Sequence, residues 1–155
     1  MSRFRYFLRT RYNECDAQKV VFNARYADYT DVATAEFFRA IGYEKELISG
    51  ELDYQVVKQT TEWRAPARYD QVLEISVSVK NIGTTSLTLF AEFRIAGEER
   101  VIVNVETVYV HVDHHTLTKT PIPPALREAL ARDLSEVTVD HAAHLRSQQL
   151  PLAGK

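Results

Sequence analysis

Cysteine is nearly missing from this chain. Cys15 is the only one, which excludes an intramolecular disulfide and fits a reducing compartment. Long apolar runs are missing too. No segment approaches the roughly 20 residues of a membrane-crossing helix, and no apolar stretch near the N-terminus leads into a small-residue cleavage site. The expectation is a cytoplasmic protein without a membrane span. Nor is charge of one sign in excess: 19 basic and 21 acidic residues leave a net charge of −2, so no nucleic-acid partner is expected. The arginines Arg3, Arg5, Arg9 and Arg11 alternate with apolar residues and read as one solvated strand face. No G-x-S-x-G elbow is present, which argues against a serine hydrolase of the α/β type. His111, His114 and His115 suggest a metal cluster at first sight, but adjacent strand residues face opposite sides, so no metal site is expected.

What is present describes one ordinary globular domain. The 155 residues are 45% hydrophobic, enough to bury a real core, and neither repeats nor a linker divide them. We read a single domain over 1–155, with its core at about 4–134 and a weakly patterned tail over 135–155. Phe4 to Tyr12 alternates loosely and reads as a first strand. Tyr26, Tyr29, Ala33, Phe37 and Ile41 then recur three or four apart, the spacing of one helix face, with Val32 and Phe38 widening the stripe. Gly42 suits the position just past that helix, and Asn23 is a favoured N-cap residue before it. From Leu52 to Val112 the chain reads as strand. Leu73, Ile75, Val77 and Val79 alternate with polar residues, as do Leu87, Leu89, Ala91, Phe93 and Ile95. Turn signals at 81–84 and 96–99 make these strands antiparallel neighbours. Val101 to Val112 is nearly continuous in apolar and β-branched residues, the pattern of a strand covered on both faces. Pro121, Pro123 and Pro124 close the sheet, and a short helix over 125–134 follows. One buried helix followed by a long meander predicts an α+β domain: about five antiparallel strands wrapped around one long central helix. Such a sheet leaves edges that edge-to-edge homodimerisation would cover.

The chemistry centres on 11–26, where Asp16 sits in a turn just before the helix. A carboxylate beside the unpaired N–H groups of a helix N-terminus is the equipment of acyl transfer. The N–H groups can hold a developing oxyanion while the carboxylate attacks or activates water. Read from composition alone, Asp16 is rather a loop or capping carboxylate, because Asp is common in turns. Cys15 beside it has no His close in sequence and reads as a bystander. Glu14 could share the site but reads rather as solvated or bonded to a neighbouring strand, and Arg68 and Asp70 read as a structural ion pair or turn in preference to a contact with cofactor phosphate.

Three segments carry a resemblance. The first is Tyr12-Asn13-Glu14-Cys15-Asp16-Ala17 running into Val20-Val21-Phe22-Asn23-Ala24-Arg25-Tyr26. The second is Ala65-Pro66-Ala67-Arg68-Tyr69-Asp70, followed by Leu73-Glu74-Ile75. The third is Gly83-Thr84-Thr85-Ser86-Leu87. In this order and spacing the chain resembles the hotdog fold, and within it the hydroxybenzoyl-CoA thioesterase-like family, most closely the Tol-Pal-associated bacterial branch. Relatives commonly have small residues, often Gly-Gly, at the place of Gln18-Lys19, and His or Tyr at that of Asn23. The resemblance implies an acyl-CoA thioesterase with Asp16 as nucleophile or general base and the Asn23 backbone N–H in the oxyanion hole. It further implies Val21, Phe22, Tyr26, Arg68 and Ser86 as substrate contacts. No metal or cofactor is implied, because CoA is part of the substrate. The implied assembly is a homodimer or homotetramer with the site at the dimer interface. A non-catalytic hotdog protein that binds acyl-CoA is the alternative.

Overall fold

The computed structural model describes residues 3–149. Its centre is a helix, α1 (Arg25–Ala40), lying on one face of a six-stranded sheet. The strands are β1 (Phe4–Arg9), β2 (Tyr54–Trp63), β3 (Val72–Ile82), β4 (Ser86–Ile95), β5 (Val101–His111) and β6 (Thr138–Asp140). Their spatial order is β2-β5-β4-β3-β1-β6, and every pairing is antiparallel except β1 with β6.

Strand alternation decides which side chains meet the helix. Phe4, Tyr6 and Leu8 on β1 stand opposite Val77, Ile75 and Leu73 on β3, and Ile75 and Val77 stand opposite Phe93 and Ala91 on β4. All are buried, as are Val103, Val105 and Tyr109 on β5. The helix answers with Tyr26, Tyr29, Ala33, Phe37, Phe38 and the following Ile41, the stripe expected from the sequence. Val32, expected to widen it, is 44% exposed, and buried Thr30 and Thr34 take that share of the contact. The helix ends as its sequence indicates. Gly42 has φ +93°, its N–H donates to the Arg39 carbonyl at 3.0 Å, and the Tyr43 N–H donates to that of Phe38 at 3.0 Å. That double bond closes the last turn, and glycine reaches its left-handed conformation without a Cβ penalty. The other face of the sheet carries paired charges, among them Arg3–Glu92 at 3.1 Å and Arg5–Glu74 at 3.5 Å.

Several expectations need correction. The sheet has six strands rather than about five, because the supposedly weakly patterned tail supplies β6 and a short α4 (His144–Gln149). Three residues of strand are too few to register as periodicity. They are held instead by the Tyr6 hydroxyl bonded to His141 Nδ1 at 2.9 Å and by Phe7 stacked on His144. Residues 150–155 of that tail lie outside the described residues. A second helix, α2 (Glu44–Ser49), precedes β2 and was not expected. With six residues and none of them buried, it carries no apolar stripe to read. α3 (Pro124–Leu130) starts at a proline and is shorter than the segment 125–134. β5 lies between β2 and β4, with its outward residues only half-buried, so its apolar character reflects a central place in the sheet.

Candidate active site

β1 leads into a short 3-10 turn (Tyr12–Glu14) and then into a tight hairpin that presents Asp16. The Asp16 N–H donates to the Val20 carbonyl at 2.9 Å, and the Lys19 N–H donates to the Asp16 carbonyl at 2.9 Å. Lys19 has φ +63°. This is a three-residue hairpin loop whose last position is left-handed, a position that glycine usually occupies. Asp16 Oδ1 accepts from the Gln18 N–H at 2.8 Å, which fixes the carboxylate without burying it. The hairpin is tied to the segment after β2: the Val21 N–H donates to the Ala67 carbonyl at 2.8 Å, and the Tyr69 N–H to the Lys19 carbonyl at 3.3 Å.

Beneath the hairpin lies a buried polar cluster that the sequence did not reveal. Glu14 is 5% exposed rather than solvated. Its carboxylate accepts from the Arg11 N–H at 2.8 Å, Arg11 Nη2 at 2.7 Å and the Tyr29 hydroxyl on α1 at 2.8 Å. Burial pushes the Glu14 carboxyl up, but the hydrogen bonds from Arg11 and Tyr29 outweigh it and hold the group below its ordinary value. Burial, then the bond to Glu14, raises the Tyr29 hydroxyl, which stays protonated as the donor. The cluster clamps the turn before Asp16 onto the helix whose N-terminus frames the site. The signal that could have exposed it is Glu three residues after Arg11, with Tyr29 on the buried helix stripe.

One prediction follows from this clamp. Tyr29→Phe strips one donor from a buried carboxylate and should destabilise the fold by about 1.5–3 kcal/mol at pH 7, the range for hydrogen bonds to charged groups. A carboxylate with a depressed folded pKa contributes stability above its unfolded pKa and loses it as pH falls through the folded one. The gap between Tyr29→Phe and wild type should therefore narrow below the ordinary carboxylate range. Denaturant midpoints at pH 7 and pH 3 check this; an equal gap at both values would contradict it.

Asp16, Val21, Phe22, Asn23 and Tyr26 line one open cleft of about 490 Å³, together with Trp63, Ala65 and Pro66. Tyr26 is 2% exposed and forms the floor, its ring 5.4 Å from that of Phe93. Burial raises the Tyr26 hydroxyl. Asn23 does not cap the helix with its side chain. The capping position is Ala24, and the Arg25 N–H donates to the Phe22 carbonyl at 2.9 Å. Asn23 therefore sits in the turn one residue earlier, and among the described residues no carbonyl accepts from its N–H. A cleft lined by a residue with an unpaired amide and by a carboxylate residue has the groups needed to polarise a carbonyl and supply a nucleophile.

The remaining candidates lie elsewhere. Arg68 flanks the hairpin through a bridge to Val20, but its side chain is outside the cleft. Asp70 pairs with Arg9 at 3.6 Å rather than with Arg68, because Asp70 has φ +67° in a turn that faces the end of β1. Ser86 opens β4 at the end away from Phe93. Seven residues of strand separate the two, on the order of 23 Å, so the fold does not bring Ser86 to Asp16 within one chain. Ser86 packs on the preceding turn, where a Cβ at Gly83 would meet its Oγ at 2.5 Å. Cys15 is half-buried, and burial together with Glu14 and Asp16 raises its thiol, which disfavours the thiolate. His114 and His115 are in ring contact in an exposed turn built on Asp113, whose carboxylate accepts from the amides of His115 and Thr116. Among the described residues no three His, Cys, Asp or Glu side chains are grouped to hold a metal ion, and no helix is long and apolar enough to cross a membrane.

Comparison with known proteins fits this geometry. Residues 10–130 match the thioesterase-like superfamily, and the chain belongs to that family. It is 29% identical over 124 residues to the Escherichia coli acyl-CoA thioester hydrolase YbgC, covering 79% of this chain and 92% of that protein. Among solved structures it is similar to a gentisyl-coenzyme A thioesterase, with a TM-score of 0.72 and 26% identity over 83% of this chain and 99% of the other. A 1,4-dihydroxy-2-naphthoyl-CoA thioesterase from Synechocystis shares the fold, with a TM-score of 0.73 at 15% identity over 83% and 95% of the two chains. The architecture is the hotdog fold of thioesterases.

Proposed function

We propose that this protein is an acyl-CoA thioesterase that converts an acyl-CoA and water into the free acid and CoA. One observation supports the reading: Asp16 and Asn23, whose N–H has no backbone partner among the described residues, line the same cleft at the start of α1. The thioester carbonyl lies against the Asn23 amide, where the positive end of the helix favours the oxyanion. Asp16 either attacks the carbonyl to give a mixed anhydride, expelling CoA thiolate, or removes a proton from the attacking water. Val21, Phe22 and Tyr26 hold the substrate from below, and Arg68 lies beside the hairpin. No metal or redox group takes part, and the protein works in the cytoplasm. The relatives named above act on CoA thioesters by their names, which supports CoA as the carrier here. The order of the three motifs supports the Tol-Pal-associated branch.

The working form is a homodimer or a pair of dimers. β2 supports this. It is a ten-residue edge strand exposed on both faces along most of its length, with Val56, Val57 and Trp63 more than half exposed. A long edge that exposes three large apolar side chains calls for a partner, and Trp63 on it lines the cleft. Ser86 reaches the thioester only if it comes from the second subunit. Activity should fall in step with dissociation when the protein is diluted. Sedimentation at matched concentrations checks this; a fully active monomer would rule out a shared site.

The test of the reading is thiol release from a panel of acyl-CoAs by the purified protein. Free thiol should accumulate over many turnovers with at least one member. Saturable binding of intact acyl-CoA, with no thiol released, would favour the non-catalytic alternative.

A further inference from the structure

The Asp16 hairpin borders a second concavity, about 580 Å³, lined by Tyr12, Asn13, Cys15, Ala17, Lys19 and Tyr69. Asp16 is the one residue that lines both hollows. Their chemistries differ. The first is walled by Val20, Phe22, Trp63 and Pro66 and carries no cation. The second carries Lys19 and a platform of two tyrosines.

We propose that the hairpin divides its substrate between these hollows: the acyl group lies on the Phe22–Trp63 side, and the nucleotide end of CoA lies on Tyr12, Tyr69 and Lys19. This rests on the thioesterase reading and adds the direction in which the substrate lies. A thioester held at Asp16 must send its two halves to opposite sides of the carbonyl. The acyl half is apolar, and the CoA half ends in an adenine ring, a diphosphate and a 3′-phosphate.

Three observations match the second half to the second hollow. Tyr12 is 82% exposed and Tyr69 51%, with their rings edge to face at 5.9 Å, an open aromatic surface on which a purine can stack. Lys19 forms no ion pair among the described residues, so the cation that lines this hollow beside the tyrosines is free for phosphate. Lys19 also occupies a left-handed position that suits glycine better. A strained backbone kept with a charged side chain is the kind of outlier that points to a task for that side chain. Asp16 is itself an anion on this wall, and the neutral pantetheine arm is the part of CoA that passes it.

The experiment compares each acyl-CoA with the same acyl group on N-acetylcysteamine, which lacks both nucleotide and phosphate. Tyr12→Ala and Lys19→Gln should each raise KM for acyl-CoA about ten-fold more than KM for the truncated thioester, with kcat on acyl-CoA little altered. Trp63→Ala should raise KM for both carriers alike, and more for larger acyl groups. Equal changes on both carriers in the Tyr12 and Lys19 variants would overturn the division, as would a Trp63 effect confined to CoA. If wild type hydrolyses neither carrier, the thioesterase reading has failed, and calorimetry with CoA and pantetheine decides the division separately. Tyr12→Ala weakening CoA but not pantetheine supports it; equal weakening of the two overturns it.

Discussion

Asp16→Asn should lower kcat for thiol release by two orders of magnitude or more, with little change in stability. The substitution is nearly isosteric. Asn keeps an oxygen that can accept from the Gln18 N–H, so the hairpin bond at 2.8 Å survives. What disappears is the anionic oxygen that would attack the carbonyl or take a proton from water. Positioned acid–base or covalent catalysis typically contributes ~10²-fold or more. Cys15 offers no substitute, since burial and two neighbouring carboxylates keep its thiol protonated. Asp16 is exposed, so its loss costs no buried interaction. Steady-state kinetics with a matched unfolding curve checks both halves. A variant retaining more than about a tenth of wild-type turnover would remove Asp16 from the chemistry.

The second large effect is on stability. Phe37 is 3% exposed on the buried side of α1, in edge-to-face contact with Phe4 at 6.0 Å and Phe38 at 5.6 Å. Phe37→Ala removes most of a ring from the junction of helix and sheet, and the strands around it cannot collapse without breaking their ladders. The expected loss is about 3–5 kcal/mol, read from the shift in a denaturant midpoint. A loss under about 1 kcal/mol would mean that the helix is not the centre of the core. Because the same helix carries Tyr29 and frames the cleft, a partly unfolded Phe37→Ala protein should also lose activity, in proportion to its unfolded fraction.

The helix, the central strands and their antiparallel order were legible in the sequence because each repeats a period over many residues. Tyr26, Tyr29, Ala33, Phe37 and Ile41 leave little choice for α1. β6 and α2 were not legible: three and six residues give no period to detect, and β6 depends on partners more than 130 residues away in sequence. The site was legible in part. Five of its expected members share one cleft because they are near neighbours along the chain, from Asp16 to Tyr26. Arg68 and Ser86 depended on how distant strands stack, and Ser86 fell at the far end of its strand. Glu14 was misread because nothing local shows that Tyr29 comes down on it. Asn23 was placed one residue wrong, since capping depends on where the Phe22 carbonyl turns.

The most direct test of the central claim is product analysis in ¹⁸O-labelled water, with wild type and Asp16→Asn side by side. Wild type should form one CoA and one ¹⁸O-labelled free acid for each acyl-CoA consumed, over many cycles per protomer, while Asp16→Asn should leave the acyl-CoA largely intact. Acyl-CoA recovered unchanged from both proteins, or equal acid from both, would contradict it.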